Sequence, residues 1–140
     1  MSDRIFVDTN IWIYAHLEKP NDAKHLLASN IIRTPSGLVT SIQVVNEYYS
    51  VMVKNGAPDD LIQQNIETIL GNVEICWFTE GLLRTAFSIR NRFLFSWWDS
   101  LIVASAQGAG CTIIYTEDLQ NGQIIGDLSI INPFLVNPTS

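Results

Sequence analysis

The stretch RIFVDTNIWIYAHL, residues 4–17, contains the pattern on which the fold prediction rests. A short apolar run over residues 4–8 ends in polar residues, which is typical of a buried strand that stops at a turn. Thr9 or Asn10 can then cap a helix, because short polar side chains accept hydrogen bonds from the free N–H groups of a first helical turn. The stretch therefore predicts a strand that leads directly into a helix.

The same alternation of strand and helix continues along the chain. Four more strands are predicted by apolar runs at residues 36–41, 73–78, 111–118 and 128–133. These runs are continuous rather than alternating with period two, which is typical of a parallel sheet that is buried on both faces. We therefore expect a three-layer α/β/α fold with a central, mostly parallel, five-stranded sheet.

Length and composition indicate one folded domain over residues 1–140, with only the tail from about residue 133 loosely packed. The chain is 47% hydrophobic and 16% charged, and its four tryptophans are expected to lie mostly in the core. No apolar run reaches the roughly 18 residues that a membrane-spanning helix needs, and the N-terminus is unlike a signal peptide. Cys76 and Cys111 have no CxxC partner and are expected to be reduced thiols. These features favour a cytoplasmic protein without membrane contacts.

The net charge of −6 argues against long-range electrostatic attraction to nucleic acid. Any contact with phosphate must then be local, through a metal ion or a few arginines. Arg84, Arg90 and Arg92 form the only basic cluster, and we consider them possible phosphate contacts. The alternative is that they form an exposed, solvated helix face.

Four acidic residues lie on apolar backgrounds close to the C-terminal ends of predicted strands. Asp8 ends the first strand, and Asp118 follows the fourth. Glu47 lies in the helix after the second strand, and Asp99 lies in the first turn of the helix that leads into the fourth. Because ligands of parallel sheets bind at the carboxyl ends of the strands, we expect these four side chains to meet at one edge.

Most of these acids also have a simpler structural explanation. Asp8 and Asp118 could be turn residues, and Asp99 could complete an S-x-x-D capping box that starts at Ser96. Glu47 is the hardest to explain in this way, because the helix positions one turn away hold no base. Gathered carboxylates repel one another unless a cation is present, and all-oxygen ligation favours Mg²⁺ or Mn²⁺. The pattern therefore predicts a divalent cation site, although each acid alone would be a weak signal.

Four segments, in order, resemble the signature of PIN-domain ribonucleases, most closely the VapC-type toxins of bacterial toxin–antitoxin pairs. They are FVDTN (6–10), VVNEYYSVM (44–52), SWWDSLIVASAQGAGC (96–111) and YTEDLQNGQ (115–123). The resemblance extends from about residue 5 to residue 132. It implies a five-stranded parallel sheet that carries four acids around one or two Mg²⁺ or Mn²⁺ ions.

Carried over by motif, the resemblance implies catalytic and metal-binding roles for Asp8, Glu47, Asp99 and Asp118. It implies supporting roles for the neighbouring polar residues Thr9, Asn10, Thr116 and Glu117. The implied activity is metal-dependent endoribonuclease cleavage of RNA phosphodiester bonds, and the implied partners are an antitoxin protein and a second copy of the chain. Many relatives have an aromatic residue three positions beyond the fourth acid, where this chain has Asn121. Because Glu117 adjoins Asp118, either could be the fourth acid, and we favour Asp118.

Other enzyme classes with an acid at this sheet edge do not match. A haloacid-dehalogenase-like phosphatase needs a second Asp where this chain has Asn10, and a receiver domain needs a Lys near its last strands, whereas the last lysine is Lys54. A dinucleotide-binding fold needs a G-x-G-x-x-G pattern after the first strand, which is missing here. The remaining alternative is a non-catalytic binding or scaffold domain on the PIN fold. Loss of one of the four acids would favour it, and none is lost.

Overall fold

Strands and helices alternate along the chain in the computed structural model, which describes residues 3–17 and 22–135. The strands are β1 (Ile5–Val7), β2 (Leu38–Ser41), β3 (Glu74–Cys76), β4 (Ile113–Tyr115), β5 (Ile124–Ile125) and β6 (Leu128–Ile131). The helices are α1 (Thr9–His16), α2 (Ala23–Ile32), α3 (Ile42–Lys54), α4 (Asp59–Asn72), α5 (Glu80–Phe93) and α6 (Trp97–Gly108). Most of the tail that we expected to be loosely packed, residues 136–140, lies outside the described residues.

The strands form one mixed sheet in the order β3-β2-β1-β4-β6-β5. Every pairing is parallel except that of β5 with β6, in which Ile125 faces Leu128 across an antiparallel hairpin. The prediction of an α/β fold with a mostly parallel sheet is confirmed. The sheet has six strands rather than five, because the two-residue β5 is too short to produce a periodic pattern in the sequence.

The centre of the sheet is buried on both faces. All four residues of β2 are buried, although successive side chains of a strand point to opposite faces. Helices α1 to α4 pack on one another, α5 packs on α6, and α3 and α6 each contact β2. This coverage explains why the strands are continuous apolar runs in the sequence.

Two junctions between a strand and a helix bring polar residues to the C-terminal edge of the sheet. Asp8 follows β1 directly and is the N-cap of α1, and Ser41 ends β2 and caps α3 through its hydroxyl. Because each helix starts within two residues of its strand, the first turns of α1 and α3 stand at the same edge. No helix in the described ranges is long and apolar enough to cross a membrane.

Two of the four tryptophans differ from the expectation that they lie mostly in the core. Trp12 is buried and Trp97 is partly buried, whereas Trp77 and Trp98 are exposed. Trp77 directly follows the short edge strand β3, and Trp98 lies in the first turn of α6, so each is at a margin of the packed layers. The sequence alone does not distinguish these margins from the core, because the neighbours that would cover a ring come from distant segments.

Candidate active site

The order in which strands are added to the sheet reverses at β1. Strands β2 and β3 lie on one side of β1, and β4 and β6 lie on the other. In open α/β sheets, the crevice beyond the carboxyl ends of the strands at such a switch point is the usual ligand site. Asp8 stands at the end of β1, and Thr116 stands at the end of the neighbouring β4. The Thr116 hydroxyl donates to Asp8 Oδ2 over 2.7 Å, which joins the two strand ends across the crevice.

Asp8 is the most buried of the four candidate acids, with 5% of its surface exposed. Its Oδ1 accepts a hydrogen bond from the backbone N–H of Thr9 over 2.7 Å. Burial raises the pKa of the Asp8 carboxyl, the hydrogen bonds from Thr116 and Thr9 lower it, and the charges of Asp118 and Glu47 raise it, so that the pKa lies at about 6. The site therefore contains a carboxylate that a cation would strongly stabilise.

Glu47 lies in the second turn of α3 and is held by two neutral donors. The Thr9 hydroxyl donates to Glu47 Oε2 over 2.8 Å, and the Gln43 amide donates to Oε1 over 3.3 Å. Thr9 therefore links the start of α1 to α3, and neither donor neutralises the charge of Glu47.

Asp99 lies in the first turn of α6, beside the predicted capping residue Ser96. The Ser96 hydroxyl accepts the backbone N–H of Asp99 over 3.0 Å, which forms one half of the capping box. Burial raises the pKa of the Asp99 carboxyl, the bond with Ser96 lowers it, and the charge of Glu47 raises it. The cap and the electrostatic contact with Glu47 therefore coexist at this residue.

Asp118 follows β4 and is held by backbone and side-chain contacts. Its backbone N–H donates to Thr116 Oγ1 over 3.1 Å, and the Asn10 amide donates to its Oδ1 over 3.4 Å. Burial raises the pKa of the Asp118 carboxyl, followed by the charges of Asp99, Glu117 and Glu47. Each of the four acids thus lies within electrostatic reach of at least one of the others.

Glu117 makes its contacts away from this group of acids. Its carboxylate accepts a hydrogen bond from the hydroxyl of Tyr14 and forms an ion pair with Lys24, with 3.1 Å between Lys24 Nζ and Glu117 Oε2. Lys24 Nζ also lies 4.9 Å from the centre of the Tyr14 ring. Glu117 and Asp118, which lie in the bend that follows β4, therefore face different surroundings.

The charges and donor atoms of the four acids suit a hard divalent cation. Ion pairs in the described residues involve Glu74, Glu80 and Glu117, and none involves Asp8, Glu47, Asp99 or Asp118. Carboxylate oxygens are the ligands that Mg²⁺ and Mn²⁺ prefer. Across residues 3–17 and 22–135, no three Asp, Glu, His or Cys side chains stand close enough to hold one ion as they are placed. The donor set therefore fits a divalent cation, and the carboxylates would have to draw together around it.

The three arginines considered as phosphate contacts are exposed on α5. Arg84 pairs with Glu80 one turn earlier, and Arg90 donates to the backbone carbonyl of Phe95 over 2.6 Å. The guanidinium of Arg92 lies 5.2 Å from the centre of the Phe93 ring. Each arginine therefore has a partner within the chain, and their contact with phosphate stays a prediction.

Comparison with protein families identifies the chain. A family model for the PIN domain matches residues 5–121, a range that contains all four candidate acids. The chain belongs to the PIN-domain family. The match ends before the hairpin of β5 and β6, although β6 pairs with β4 in the same sheet. Comparison with curated protein sequences gives no match.

Solved structures share the fold of this PIN domain at low sequence identity. A toxin–antitoxin complex from Klebsiella pneumoniae matches with 16% identity and a TM-score of 0.72, over 94% of this chain and 99% of that one. VapC20 of Mycobacterium tuberculosis, described as a sarcin–ricin loop cleaving toxin, matches with 22% identity and a TM-score of 0.66, over 81% and 89%. FitAcB from Neisseria gonorrhoeae matches with 17% identity and a TM-score of 0.64, over 94% and 99%. The predicted resemblance to the PIN-domain family is confirmed, and the chain shares its fold with VapC20.

Sequence reasoning did not single out Gln43 as part of the site. This residue is buried on α3, and its amide contacts both Glu47 and the backbone carbonyl of Trp98. The sequence spacing could have indicated this contact, since Gln43 and Glu47 are one turn apart on the same helix face.

Proposed function

We propose that this PIN domain is a metal-dependent endoribonuclease that hydrolyses RNA phosphodiester bonds and acts as the cytoplasmic toxin of a toxin–antitoxin pair. The observation that carries the proposal is the set of four carboxylates, from four separate segments, around the switch point of the sheet. None of them forms an ion pair within the described residues. Family membership supports the proposal, as does the structural likeness to a toxin described as cleaving the sarcin–ricin loop.

The residues that would hold the ion are the four acids Asp8, Glu47, Asp99 and Asp118. Bound there, Mg²⁺ or Mn²⁺ would supply positive charge that stabilises the negative charge developing on the phosphate, and would make water more acidic. Like-charge repulsion among the acids would be relieved at the same time, which favours binding of a doubly charged ion.

Neutral donors orient the acids without cancelling their charge. The Thr116 hydroxyl donates to Asp8 and accepts the backbone N–H of Asp118, so one side chain fixes two acids. The Thr9 hydroxyl orients Glu47, and the Asn10 amide reaches Asp118. Such outer partners fix the direction of ligand side chains in metal sites.

Two partners are part of the proposal. The structural neighbours include a toxin–antitoxin complex, and we propose that an antitoxin protein binds this chain too. A homodimer is also proposed, on the family resemblance and on the number of large apolar side chains that are exposed.

The proposal is tested by replacing one acid and measuring metal binding and RNA cleavage. Asp99→Asn keeps the shape of the side chain, and it should weaken Mn²⁺ binding by roughly 100-fold or more, since loss of an outer partner alone costs about 10- to 100-fold. Calorimetric titration with Mn²⁺ measures binding. Cleavage is followed on total cellular RNA and on a sarcin–ricin hairpin, with Mg²⁺, with Mn²⁺ and with a chelator.

Asp60→Asn is the matched control, because Asp60 is an exposed acid in the first turn of α4. It should bind Mn²⁺ and cleave RNA as the wild type does. Unchanged Mn²⁺ binding by Asp99→Asn, or wild-type protein that binds no divalent cation, would contradict the proposal and favour a non-catalytic PIN-fold binding domain.

A further inference from the structure

A cleft of about 420 Å³ adjoins the candidate active site, and its residues come from α3, from the segment after β3 and from the start of α6. They are Gln43, Asn46, Glu47, Ser50, Phe78 and Trp98. The volume is within the range of about 300–1,000 Å³ that small-molecule sites occupy. Because Glu47 belongs both to the cleft and to the group of acids, a molecule in the cleft would lie next to the proposed metal site.

One wall of the cleft is polar. Gln43, Asn46, Glu47 and Ser50 are spaced by three and four residues along α3, and they therefore share one face of the helix. Their amide, carboxylate and hydroxyl groups can both donate and accept hydrogen bonds.

The other wall is aromatic and exposed. Trp98 is 61% exposed and Phe78 is 46% exposed. The adjacent Trp97 is different, because it is partly buried and stacks on Phe87 with 5.5 Å between ring centres. Large exposed apolar side chains beside a polar site indicate a binding surface rather than core packing.

Gln43 supplies an unused acceptor at this cleft. Only 5% of the residue is exposed, and its Nε2 donates to Glu47 Oε1 and to the Trp98 carbonyl oxygen, each over 3.3 Å. Turning the amide over would place its oxygen against these two acceptors, so the orientation is fixed. Gln43 Oε1 has no hydrogen-bond partner among the described residues. A buried acceptor without a partner is costly, and because Gln43 Oε1 has almost no accessible surface, a ligand N–H group would reach it only after a small shift of the side chains around it.

We propose that this cleft binds an unpaired nucleobase of single-stranded RNA, stacked on Trp98 and Phe78 with its polar edge toward Gln43 and Asn46. Unpaired bases are recognised in this way, by stacking on aromatic side chains and by hydrogen bonds to their edges. The inference rests on the proposed function, in which RNA is the substrate. It also explains how a chain with a net charge of −6 can hold RNA, because stacking needs no basic surface.

A nucleobase fits the cleft better than an apolar side chain of a protein partner. An aliphatic or phenyl group would cover the aromatic wall but would leave Gln43 Oε1 without a donor. A heterocycle with N–H groups on its edge can satisfy both walls at once. The polar side chains of α3 therefore favour a nucleobase, whereas the larger, apolar part of the lining would accept either occupant.

The test compares RNA affinity in three variants, by fluorescence anisotropy with a short single-stranded RNA of mixed sequence in Ca²⁺. Trp98→Ala should weaken binding by roughly five- to 150-fold, the range that loss of one stacked base produces. Trp98→Phe keeps a stacking ring and should stay close to the wild type. Trp77→Ala is the matched control, because Trp77 is equally exposed at 63% and lines a different groove. A backbone oligonucleotide without bases should bind the wild type and Trp98→Ala equally.

Equal RNA affinity of the wild type and Trp98→Ala, or no RNA binding by the wild type, overturns the inference. A Trp98→Ala variant that keeps RNA affinity but loses a protein partner would assign the cleft to a peptide instead.

The outcomes separate this inference from the proposed function. If Asp99→Asn abolishes cleavage while Trp98→Ala binds RNA normally, the nuclease stands and the stacking site is wrong. If Trp98→Ala weakens RNA binding and the wild-type protein cleaves no RNA, the stacking site stands without the nuclease.

Discussion

Asp8 shows how much the behaviour of this site depends on a single buried carboxyl. The residue caps α1, bonds to Thr116 on the neighbouring strand end, and is surrounded by other acids rather than by bases. The pKa of its carboxyl is raised to about 6, and burial is the largest cause of this shift. A proton and a divalent cation therefore compete for the same group.

In the metal-free protein, we expect the stability to fall as the pH rises from about 4 to about 6. Over that window the folded protein keeps the proton of Asp8, whose pKa is raised from 3.8 to about 6, whereas the unfolded chain has lost it. The free energy of unfolding then decreases by up to about 3 kcal/mol with rising pH, at about 1.4 kcal/mol per pKa unit. Urea unfolding in a chelator, at several pH values, measures this slope.

Asp8→Asn should lose the part of this pH dependence that Asp8 contributes, because the amide does not titrate, and should keep the part that comes from the raised pKa values of Asp99 and Asp118. Asp60→Asn should retain it. Equal slopes for the wild type and Asp8→Asn would contradict the prediction, since they would mean that Asp8 ionises in the folded protein as it does in the unfolded chain.

At the residue scale, the sequence is most informative where topology decides the position of a residue and least informative where packing decides its exposure. The nearness of Asp8 to Asp118 was expected, because parallel strands end at the same edge of the sheet. The direction of Glu117 depends on Lys24 and Tyr14, which come from other elements. The exposure of Trp98 and the unpaired acceptor of Gln43 depend on neighbours from distant segments, which local pattern does not contain.

At the scale of the elements, the first turn of α6 combines a helix cap with an acid of the site. Ser96 accepts the backbone N–H of Asp99, and the Asp99 carboxyl lies near Glu47 of α3. The hydroxyl and the carboxylate therefore have separable roles within one turn.

Ser96→Ala should destabilise the fold by about 1 kcal/mol, the usual cost of losing an N-cap, and should change Mn²⁺ affinity little. Asp99→Asn should do the reverse, with stability close to the wild type and Mn²⁺ binding strongly weakened. Urea unfolding and Mn²⁺ titration of both variants separate the two roles. If Asp99→Asn destabilised the fold as Ser96→Ala does and still bound Mn²⁺, Asp99 would act only as a capping residue.

The elements themselves were largely predictable, since the five parallel strands are the five apolar runs of the sequence. The missing strand, β5, consists of two residues in a hairpin between Gly122 and Gly126, both of which have positive φ angles. Its pairing with β6 comes from the hairpin geometry rather than from any periodicity, and a sequence pattern of two residues carries no period.

At the scale of the whole molecule, the net charge and the fold act together. A chain with a charge of −6 does not attract RNA over long distances, so the contacts that hold a substrate must be short-ranged. The described surface offers two such features side by side at the switch point of the sheet, namely the group of acids and the cleft lined by Trp98. We expect the acids to recruit a cation for the phosphate and the cleft to hold a base.

The metal site is tested most directly by locating Mn²⁺ in crystals of this protein through its anomalous scattering. We expect a strong anomalous peak among Asp8, Glu47, Asp99 and Asp118, with these carboxylates drawn toward the ion. Four carboxylates that stay apart with no ion between them, at Mn²⁺ concentrations that saturate known hard-oxygen sites, would contradict the proposed metal site.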